Sequence, residues 1–269
     1  MKVAAVQMTS GARVDANLET ARRLLSIAAG AGAKVAVLPE NFALMGRREA
    51  DKLAIAEDDG TGPIQDFLAE QAASLGLVIV GGTMPIRVPG ETRVAAASLV
   101  IGADGRRSGR YDKIHLFDVD LPDRDESYRE SAAQVPGRRP LVVETPAGRM
   151  GVTVCYDLRF PELFRAMSAQ GMDFCVVSAA FTVPTGEAHW DVLLRARAVE
   201  NLCHVVAAAQ VGQHENGRST YGHSQVIDCW GAVLERLPEG EGCAVAEIDL
   251  ARQATIRQNF PALSHRVLV

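Results

Sequence analysis

The feature that most constrains the fold is an order of apolar segments that occurs twice along the chain. In both halves, apolar strand-like runs alternate with amphipathic helices in the order β-α-β-α-β. The first half has predicted strands at residues 3–8, 35–38, 77–81 and 95–101 and helices at 17–30 and 63–75. The second half has predicted strands at 149–154, 173–178, 204–210, 224–227 and 244–248 and helices at 160–170 and 187–202. Alternation of this kind predicts an α/β fold with an internal pseudo-repeat, in which two sheets pack face to face under outer helices.

The segments between these elements suggest one domain. No flexible Gly/Ser linker separates the halves, so residues 1–269 are predicted to form a single domain. Residues 106–140 are charged and lack sustained periodicity, and a loop of that length inside a compact domain is typical of a functional segment. Residues 253–269 are basic and carry no strong fold signal, as expected for a frayed or docked tail.

Composition excludes several classes of protein. Hydrophobic residues make up 48% of the 269 positions and charged residues 23%, as in ordinary globular proteins. A net charge of −5 gives no electrostatic reason to bind nucleic acid or an anionic membrane. The sequence shows no transmembrane or signal-peptide pattern, and its five cysteines suggest neither a disulfide framework nor a metal site. We therefore expect a cytoplasmic protein.

Cys155 is the first candidate for chemistry. It lies in GVTVCYDLRFPEL, where a β-favouring run ends at the cysteine and a helix begins near Pro161. A thiol on a strand-to-helix turn has the placement of a nucleophile, and a nearby helix N-terminus favours the reactive thiolate. A small buried apolar cysteine is the alternative, and this stretch alone does not choose between them.

Three further charged residues stand out. Glu40 follows the apolar run AKVAVLP, at the end of a predicted strand where α/β sheets usually bind ligands; a solvated loop residue or a helix cap is the alternative. Lys113 lies in RYDKIHLF among apolar residues and could stabilise a developing negative charge; a solvated lysine is the alternative. Glu130, in SYRES, is expected from its local sequence to be exposed.

Two other expectations concern histidine and the helix at 187–202. His189 and His223 are the best of six histidines for a site, so a cysteine-histidine pair remains possible. The helix is expected to bury an apolar face that includes Val192 and Val199, leaving a charged face that includes Arg197 in solvent or at an interface.

The ordered motifs VAVLPEN, RYDKIHLFDVD and GVTVCYDLRFPEL resemble those of the nitrilase, or carbon-nitrogen hydrolase, superfamily. The likeness runs from VAAVQM near the start to the last strand. DLRFPEL, TGEAHWDVLLRARAVEN and YGHSQVIDCWG are most similar to the Nit branch of that superfamily. The resemblance implies a four-layer α-β-β-α sandwich, a homodimer with interfacial helices, and no metal or organic cofactor.

The resemblance also implies residue roles. Glu40 would act as general base, Cys155 as nucleophile and Lys113 as the oxyanion partner together with the backbone N–H of Tyr156, while Glu130 would assist Lys113. Arg159 is a candidate partner for a substrate carboxylate. The oxyanion and substrate-binding set is completed by Ala180 and His189, which lie in another matching stretch.

The implied activity is hydrolysis of an amide in a small acidic metabolite, with deaminated glutathione as the specific expectation. α-Ketoglutaramate and N-carbamoyl amino acids are alternatives within the same chemistry. A non-catalytic binding protein and a cysteine-histidine protease or transferase are alternatives of other classes. Residues 42–60 and 118–139 are expected to form the loops that set substrate specificity.

Overall fold

The computed structural model describes residues 1–120 and 127–267. The helices are α1 (Val14–Gly30), α2 (Asp51–Ala54), α3 (Pro63–Leu75), α4 (Pro161–Ala169), α5 (Val183–Thr185), α6 (Asp191–Asn201) and α7 (Leu250–Asn259). Short 3₁₀ turns cover Glu130–Ala132 and Cys155–Arg159, and a π turn covers Gly186–Trp190. None of these helices is long and apolar enough to cross a bilayer.

The strands are β1 (Lys2–Gln7), β2 (Val35–Val37), β3 (Val78–Val80), β4 (Met84–Arg87), β5 (Val94–Ile101), β6 (Arg107–Asp112), β7 (Asp118–Asp120), β8 (Ser127–Arg129), β9 (Gln134–Val135), β10 (Leu141–Thr145), β11 (Gly148–Val154), β12 (Phe174–Ala179), β13 (His204–Ala209), β14 (Val211–Gln213), β15 (Ser219–Tyr221), β16 (Ser224–Ile227), β17 (Val233–Leu237) and β18 (Gly242–Glu247). The first large sheet has the order β18-β1-β2-β3-β5-β4, and the second has the order β10-β11-β12-β13-β16-β17.

The two sheets share one design. Strands β1, β2 and β3 are parallel, with β18 and β5 antiparallel on either side. Strands β11, β12 and β13 are parallel as well, with β10 and β16 antiparallel on either side. The predicted α/β fold with an internal pseudo-repeat is confirmed.

Alternating side chains give each sheet two apolar faces. In β1, Val3 and Ala5 belong to the core that includes the second sheet, whereas Ala4 and Val6 pack with residues of α1 and α3. Phe164 of α4 and Leu194 of α6 pack into the core of the second sheet. These contacts produce the predicted order of layers, α-β-β-α.

The sheets are tied together where their parallel strands end. Ser178 Oγ donates to the carbonyl of Leu38 at 2.8 Å, and the amide of Val211 donates to Met8 O at 3.0 Å. Because β2 and β11 also end at this edge, the residues that follow them are brought close together.

The prediction of which face of α6 is buried was wrong. Val192 and Val199 are 60% and 49% exposed, while Arg197 is buried and donates from Nε and Nη2 to Leu158 O at 3.0 and 2.8 Å. Periodicity identifies a helix face but not the direction in which it points. A buried guanidinium is tolerated here because Leu158 O and the Glu200 carboxylate accept its hydrogen bonds.

Two segments expected to lack structure contain regular elements. Helix α7 extends into the predicted tail as far as Asn259, and its buried Gln253 donates to Asp173 O and Leu202 O, both at 2.7 Å. Residues 106–140 contain β6 to β9, and residues 121–126 of this segment lie outside the described residues. Helix α7 is held by polar contacts, and residues 106–140 contain short strands. Neither segment therefore shows a sustained apolar repeat in its sequence.

Candidate active site

Cys155 lies on a sharp turn between β11 and α4. β11 ends at Val154, the 3₁₀ turn begins at Cys155, and α4 begins at Pro161. The backbone of Cys155 adopts φ 47°, a left-handed conformation that is unfavourable for residues other than glycine. Its side chain is 7% exposed. The turn therefore presents a nearly buried thiol at the edge where the strands end.

A buried carboxylate fastens this turn to the segment that carries Lys113. Asp157 Oδ2 accepts hydrogen bonds from the Val154 amide at 2.9 Å and the Tyr111 hydroxyl at 2.7 Å. Its Oδ1 lies 3.1 Å from the His115 amide, which donates to it, and 2.7 Å from His115 Nδ1. Because Tyr111 and His115 flank Lys113, Asp157 fixes the cysteine turn relative to the lysine.

Glu40, Lys113 and Glu130 form one buried ion cluster. Lys113 Nζ donates to Glu40 Oε1 at 2.8 Å and to Glu130 Oε1 and Oε2 at 2.9 and 2.7 Å. The three residues are 4%, 1% and 8% exposed, respectively. The expectation from local sequence that Glu130 is exposed was wrong, because Lys113 and the amide of Phe117, which donates to Oε2 at 2.8 Å, compensate its burial.

The loop after β2 holds Glu40 in place. Gln210 Nε2 donates to the Glu40 carbonyl at 3.0 Å, and the Asn41 amide donates to Thr83 Oγ1 at 2.8 Å. Gly82 has φ 49°, and a Cβ there would lie 2.0 Å from Pro39 O. Only glycine allows the neighbouring chain to approach the glutamate loop so closely.

The electrostatics give the side chains of Lys113, Glu130 and Cys155 different charge states. Burial lowers the pKa of Lys113, but Glu130 and Glu40 outweigh it and hold that pKa well above its ordinary value. Burial opposes ionisation of Glu130, yet Lys113 and Lys52 bring its pKa below the ordinary value. Burial and the Glu40 carboxylate raise the pKa of the Cys155 thiol. At neutral pH the site thus holds an ammonium, an ionised Glu130 and a neutral thiol.

The other predicted site residues surround the thiol to different degrees. Ala180, Tyr156 and Arg159 line the cleft beside Cys155, and the backbone of Ala180 favours the ionised thiol and so lowers its pKa, against the larger opposite effect of burial. The Arg159 guanidinium lies 5.8 Å from the Tyr156 ring centroid. His189 is exposed and is not part of the cleft lining; its Nδ1 lies 3.2 Å from Arg159 Nη1.

The cleft encloses about 640 Å³ and contains the whole ion cluster. Sequence reasoning missed several described residues of its wall, and these are Asn41, Glu49, Lys52, Phe117, Ser127, Tyr128, Arg129, Phe181, Thr182, Thr185 and Arg218. Glu49, Lys52, Ser127, Tyr128 and Arg129 do fall within the loops predicted to set specificity. Arg218 carries no distinguishing signal, because ENGRST reads as an ordinary polar turn.

The described histidines lie away from the cleft. None of the described histidines lines the cleft, and the best candidate, His223, directs Nδ1 to Tyr221 O at 2.8 Å. Among the described residues, no group of three or more histidine, cysteine, aspartate or glutamate side chains is arranged to hold a metal ion.

Comparisons with known proteins agree with this arrangement. Residues 2–258 match the profile of the family described as Carbon-nitrogen hydrolase. A Synechocystis protein named deaminated glutathione amidase is 43% identical over 99% of this chain and 98% of its own. The human protein of that name is 39% identical over 98% of this chain and 81% of its own. A Saccharomyces cerevisiae crystal structure described as a branch 10 member of the nitrilase superfamily is 30% identical over 100% of this chain and 97% of its own, with a TM-score of 0.89.

Proposed function

Because the chain belongs to the carbon-nitrogen hydrolase family, we propose that it is an amidase that cleaves deaminated glutathione through a thioester on Cys155. The observation that carries the proposal is the buried Glu40–Lys113–Glu130 cluster, which shares one cleft with the strained turn of Cys155. In this proposal Glu40 is the general base, Lys113 the oxyanion partner, and Glu130 the residue that positions Lys113.

In the first half of the reaction, the Cys155 thiol attacks the amide carbon as its proton passes to Glu40. A C–S bond forms, and the negative charge moves from Glu40 to the carbonyl oxygen. Lys113 already lies 2.8 Å from Glu40, so one ammonium balances the charge before and after the transfer. The backbone N–H of Tyr156 is the second oxyanion donor of the proposal. The C–N bond then breaks, and the leaving amine takes the proton from Glu40.

In the second half, a water molecule enters the place of the amine. Glu40 takes a proton from the water as its oxygen attacks the thioester carbon. The C–S bond breaks, the acid product forms, and the proton held by Glu40 returns to the sulfur. Throughout the cycle, the Glu130 carboxylate accepts hydrogen bonds from Lys113 Nζ at 2.9 and 2.7 Å, so the ammonium remains fixed while Glu40 changes its protonation.

The substrate half of the proposal rests on the relatives' names and on the cleft. Deaminated glutathione carries a 2-oxo acid carboxylate on its acyl half, which requires a cationic partner close to Cys155. Arg159 lies four positions after the nucleophile and on the cleft wall, and its guanidinium is held against the rings of Tyr156 and Phe181 at 5.8 and 5.5 Å. Arg159 therefore suits recognition of this carboxylate.

Turnover of a small panel tests the proposal. Deaminated glutathione, α-ketoglutaramate, N-carbamoyl-alanine and a simple aliphatic amide are incubated with the protein, and the acid and amine products are measured. We expect the highest kcat/KM for deaminated glutathione, and no turnover by Cys155→Ala. Cys243→Ala is the matched control, because this thiol lies against Leu24 O, away from the cleft, and its loss should leave turnover unchanged. Inactivity on the whole panel would overturn the proposal.

We also propose a homodimer formed through α6 and its surroundings. Val192, Val199, Trp230 and Phe260 are 60%, 49%, 53% and 53% exposed. The rings of Trp230 and Phe260 are 5.6 Å apart, and Val199 borders Gly231, so most of this apolar surface is continuous. A second copy would cover it by two-fold symmetry.

Sedimentation measurements test the assembly. We expect a dimer for the natural chain and a monomer for the Val199→Glu, Trp230→Glu double variant. Ile27→Glu is the matched control, since Ile27 is 49% exposed but lies on α1, which covers the other sheet. A monomeric natural chain, or a dimer that survives the double substitution, would contradict this assignment.

A reducing, cytoplasmic location completes the proposal. All five cysteines are free thiols, as is common for proteins of the reducing cytosol. Fractionation of cells that produce the protein tests this location, and recovery in an extracellular or membrane fraction would contradict it.

A further inference from the structure

A second, outer cavity adjoins the cleft. This outer cavity encloses about 1420 Å³. The two cavities share the wall residues Asn41, Glu49, Lys52, Ser127, Tyr128, Thr182 and Arg218. A molecule with its reactive carbonyl at Cys155 can therefore extend toward the outer cavity.

Cations dominate the described lining of the outer cavity. Arg47, Arg48, Lys52 and Arg218 face one carboxylate there, that of Glu49. Lys52 Nζ already pairs with Glu49 at 2.7 Å, which leaves three arginines in excess. Arg48 has a loose contact with Asp51 at 3.7 Å, and Arg47 pairs with no described acidic residue. A surplus of cations in a concave surface favours an anionic ligand.

Arg218 stands at the junction of the two cavities and is already held in place. One of its terminal nitrogens, Nη2, donates to Ala180 O, and its guanidinium carbon lies 5.2 Å from the centroid of the Tyr128 ring. Its Nε is buried and makes no hydrogen bond to any described residue. A buried donor without a partner costs stability, so contacts within the described chain do not fully compensate the placement of this guanidinium. The planar guanidinium also matches the geometry of a carboxylate.

We propose that Arg218, with the outer cavity around it, binds a carboxylate on the amine half of the amide substrate. This inference rests on the proposed amidase function and adds the specificity for the leaving group. The amine half must depart while the acyl half stays attached to Cys155, so the amine half occupies the side of the cleft that opens outward. Amides whose leaving amine bears a carboxylate, such as a short peptide with a free C-terminus, are then the preferred class.

Two amides that share one acyl half test the inference. The first amide is deaminated glutathione, which has a carboxylate at the end of its amine half. The second is the analogue in which a carboxamide replaces this carboxylate and removes its charge. Charge-assisted hydrogen bonds contribute about 1.5–3 kcal/mol, which corresponds to a preference of about 10-fold to 150-fold in kcat/KM for the carboxylate. We expect the preference to reside mainly in KM and to fall as salt concentration rises.

Variants separate binding from folding. Arg218→Gln should bring the ratio of kcat/KM between the two amides close to 1, and Arg218→Lys should restore part of it. The matched control is Arg149→Gln, because Arg149 lies outside both cavities and pairs with Glu144; it should keep the natural ratio. Equal kcat/KM for the two amides in the natural protein, or an unchanged ratio in Arg218→Gln, would overturn the role given to Arg218 and leave the proposed amidase function in place. Turnover of neither amide by the natural protein would overturn the proposed function and this inference with it.

Discussion

Replacing Asp157 with asparagine should loosen the connection between the cysteine turn and the Lys113 segment. Asp157 is fully buried, and each of its oxygens accepts one backbone N–H, from Val154 at Oδ2 and from His115 at Oδ1. An asparagine has one carbonyl oxygen, so in either orientation its NH₂ group faces one of these amides. The variant therefore cannot accept hydrogen bonds from both the Val154 and the His115 amides, whichever rotamer it adopts.

The expected loss of stability follows from the hydrogen bonds that the asparagine cannot accept. A lost hydrogen bond to a charged group is worth about 1.5–3 kcal/mol, and a buried donor left unsatisfied costs about 1–3 kcal/mol. These effects overlap, so the free energy of unfolding should fall by about 3–5 kcal/mol. At about 2–4 °C per kcal/mol for a chain of this size, Tm should drop by about 10 °C. The kcat should fall as well, because the Cys155 turn is no longer fixed relative to Lys113.

Thermal and chemical denaturation, together with steady-state kinetics, provide the assay. Tyr111→Phe is the graded comparison, since it removes one hydroxyl donor and leaves both backbone bonds, with an expected loss of about 1–2 kcal/mol. Asp66→Asn is the surface control, because Asp66 is exposed on α3, and it should change stability by less than about 1 kcal/mol. An Asp157→Asn protein as stable and active as the natural chain would refute this reasoning.

Three further substitutions test the site. Glu40→Gln should reduce kcat by about 10²-fold or more and lower the pKa of the Cys155 thiol, seen as a shift to lower pH in its alkylation by iodoacetamide; an upward shift would contradict this. Glu130 has a lowered pKa, so its contribution to stability is present above the ordinary value of 4.5 and is lost as pH falls through the folded pKa. Acid denaturation of Glu130→Gln should therefore depend less steeply on pH than that of the natural chain, and equal steepness would count against the ion cluster. Gly82→Ala should lower Tm more than Gly60→Ala, because Gly60 also has a positive φ, of 92°, but open space around it; equal effects would contradict the close approach.

Much of the fold could be predicted because its strands are nearly continuous apolar runs. The helix at residues 63–75 and the strand at 224–227 were placed with their observed bounds, and the carbon-nitrogen hydrolase resemblance is confirmed by the family match. Buried strands and amphipathic helices carry strong local patterns. Elements such as β6 and α7 carry weak ones, because charged or polar residues dominate them, and these were missed.

Some residues of the candidate site could be predicted from the local sequence, and others could not. Cys155 and Glu40 follow apolar strands, so their local sequence suggested a site. Glu130 looked like a surface residue, and only the resemblance connected it with Lys113. Arg218 could not be found, because its importance comes from the carbonyl of Ala180 and from a cavity formed by loops distant in sequence. A local pattern can show that a side chain is unusual for its surroundings, but it cannot show which distant groups surround it.

The most direct test of the account is the mass of the protein during turnover. The natural chain is mixed with deaminated glutathione, quenched with acid after milliseconds to seconds, and analysed by mass spectrometry of the intact protein and its peptides. We predict an added mass equal to that of the acyl half, located on Cys155, which forms before steady state, disappears when substrate is exhausted and is absent from Cys155→Ala. Hydrolysis without any acylated Cys155 peptide, or hydrolysis that persists in Cys155→Ala, would contradict the central claim.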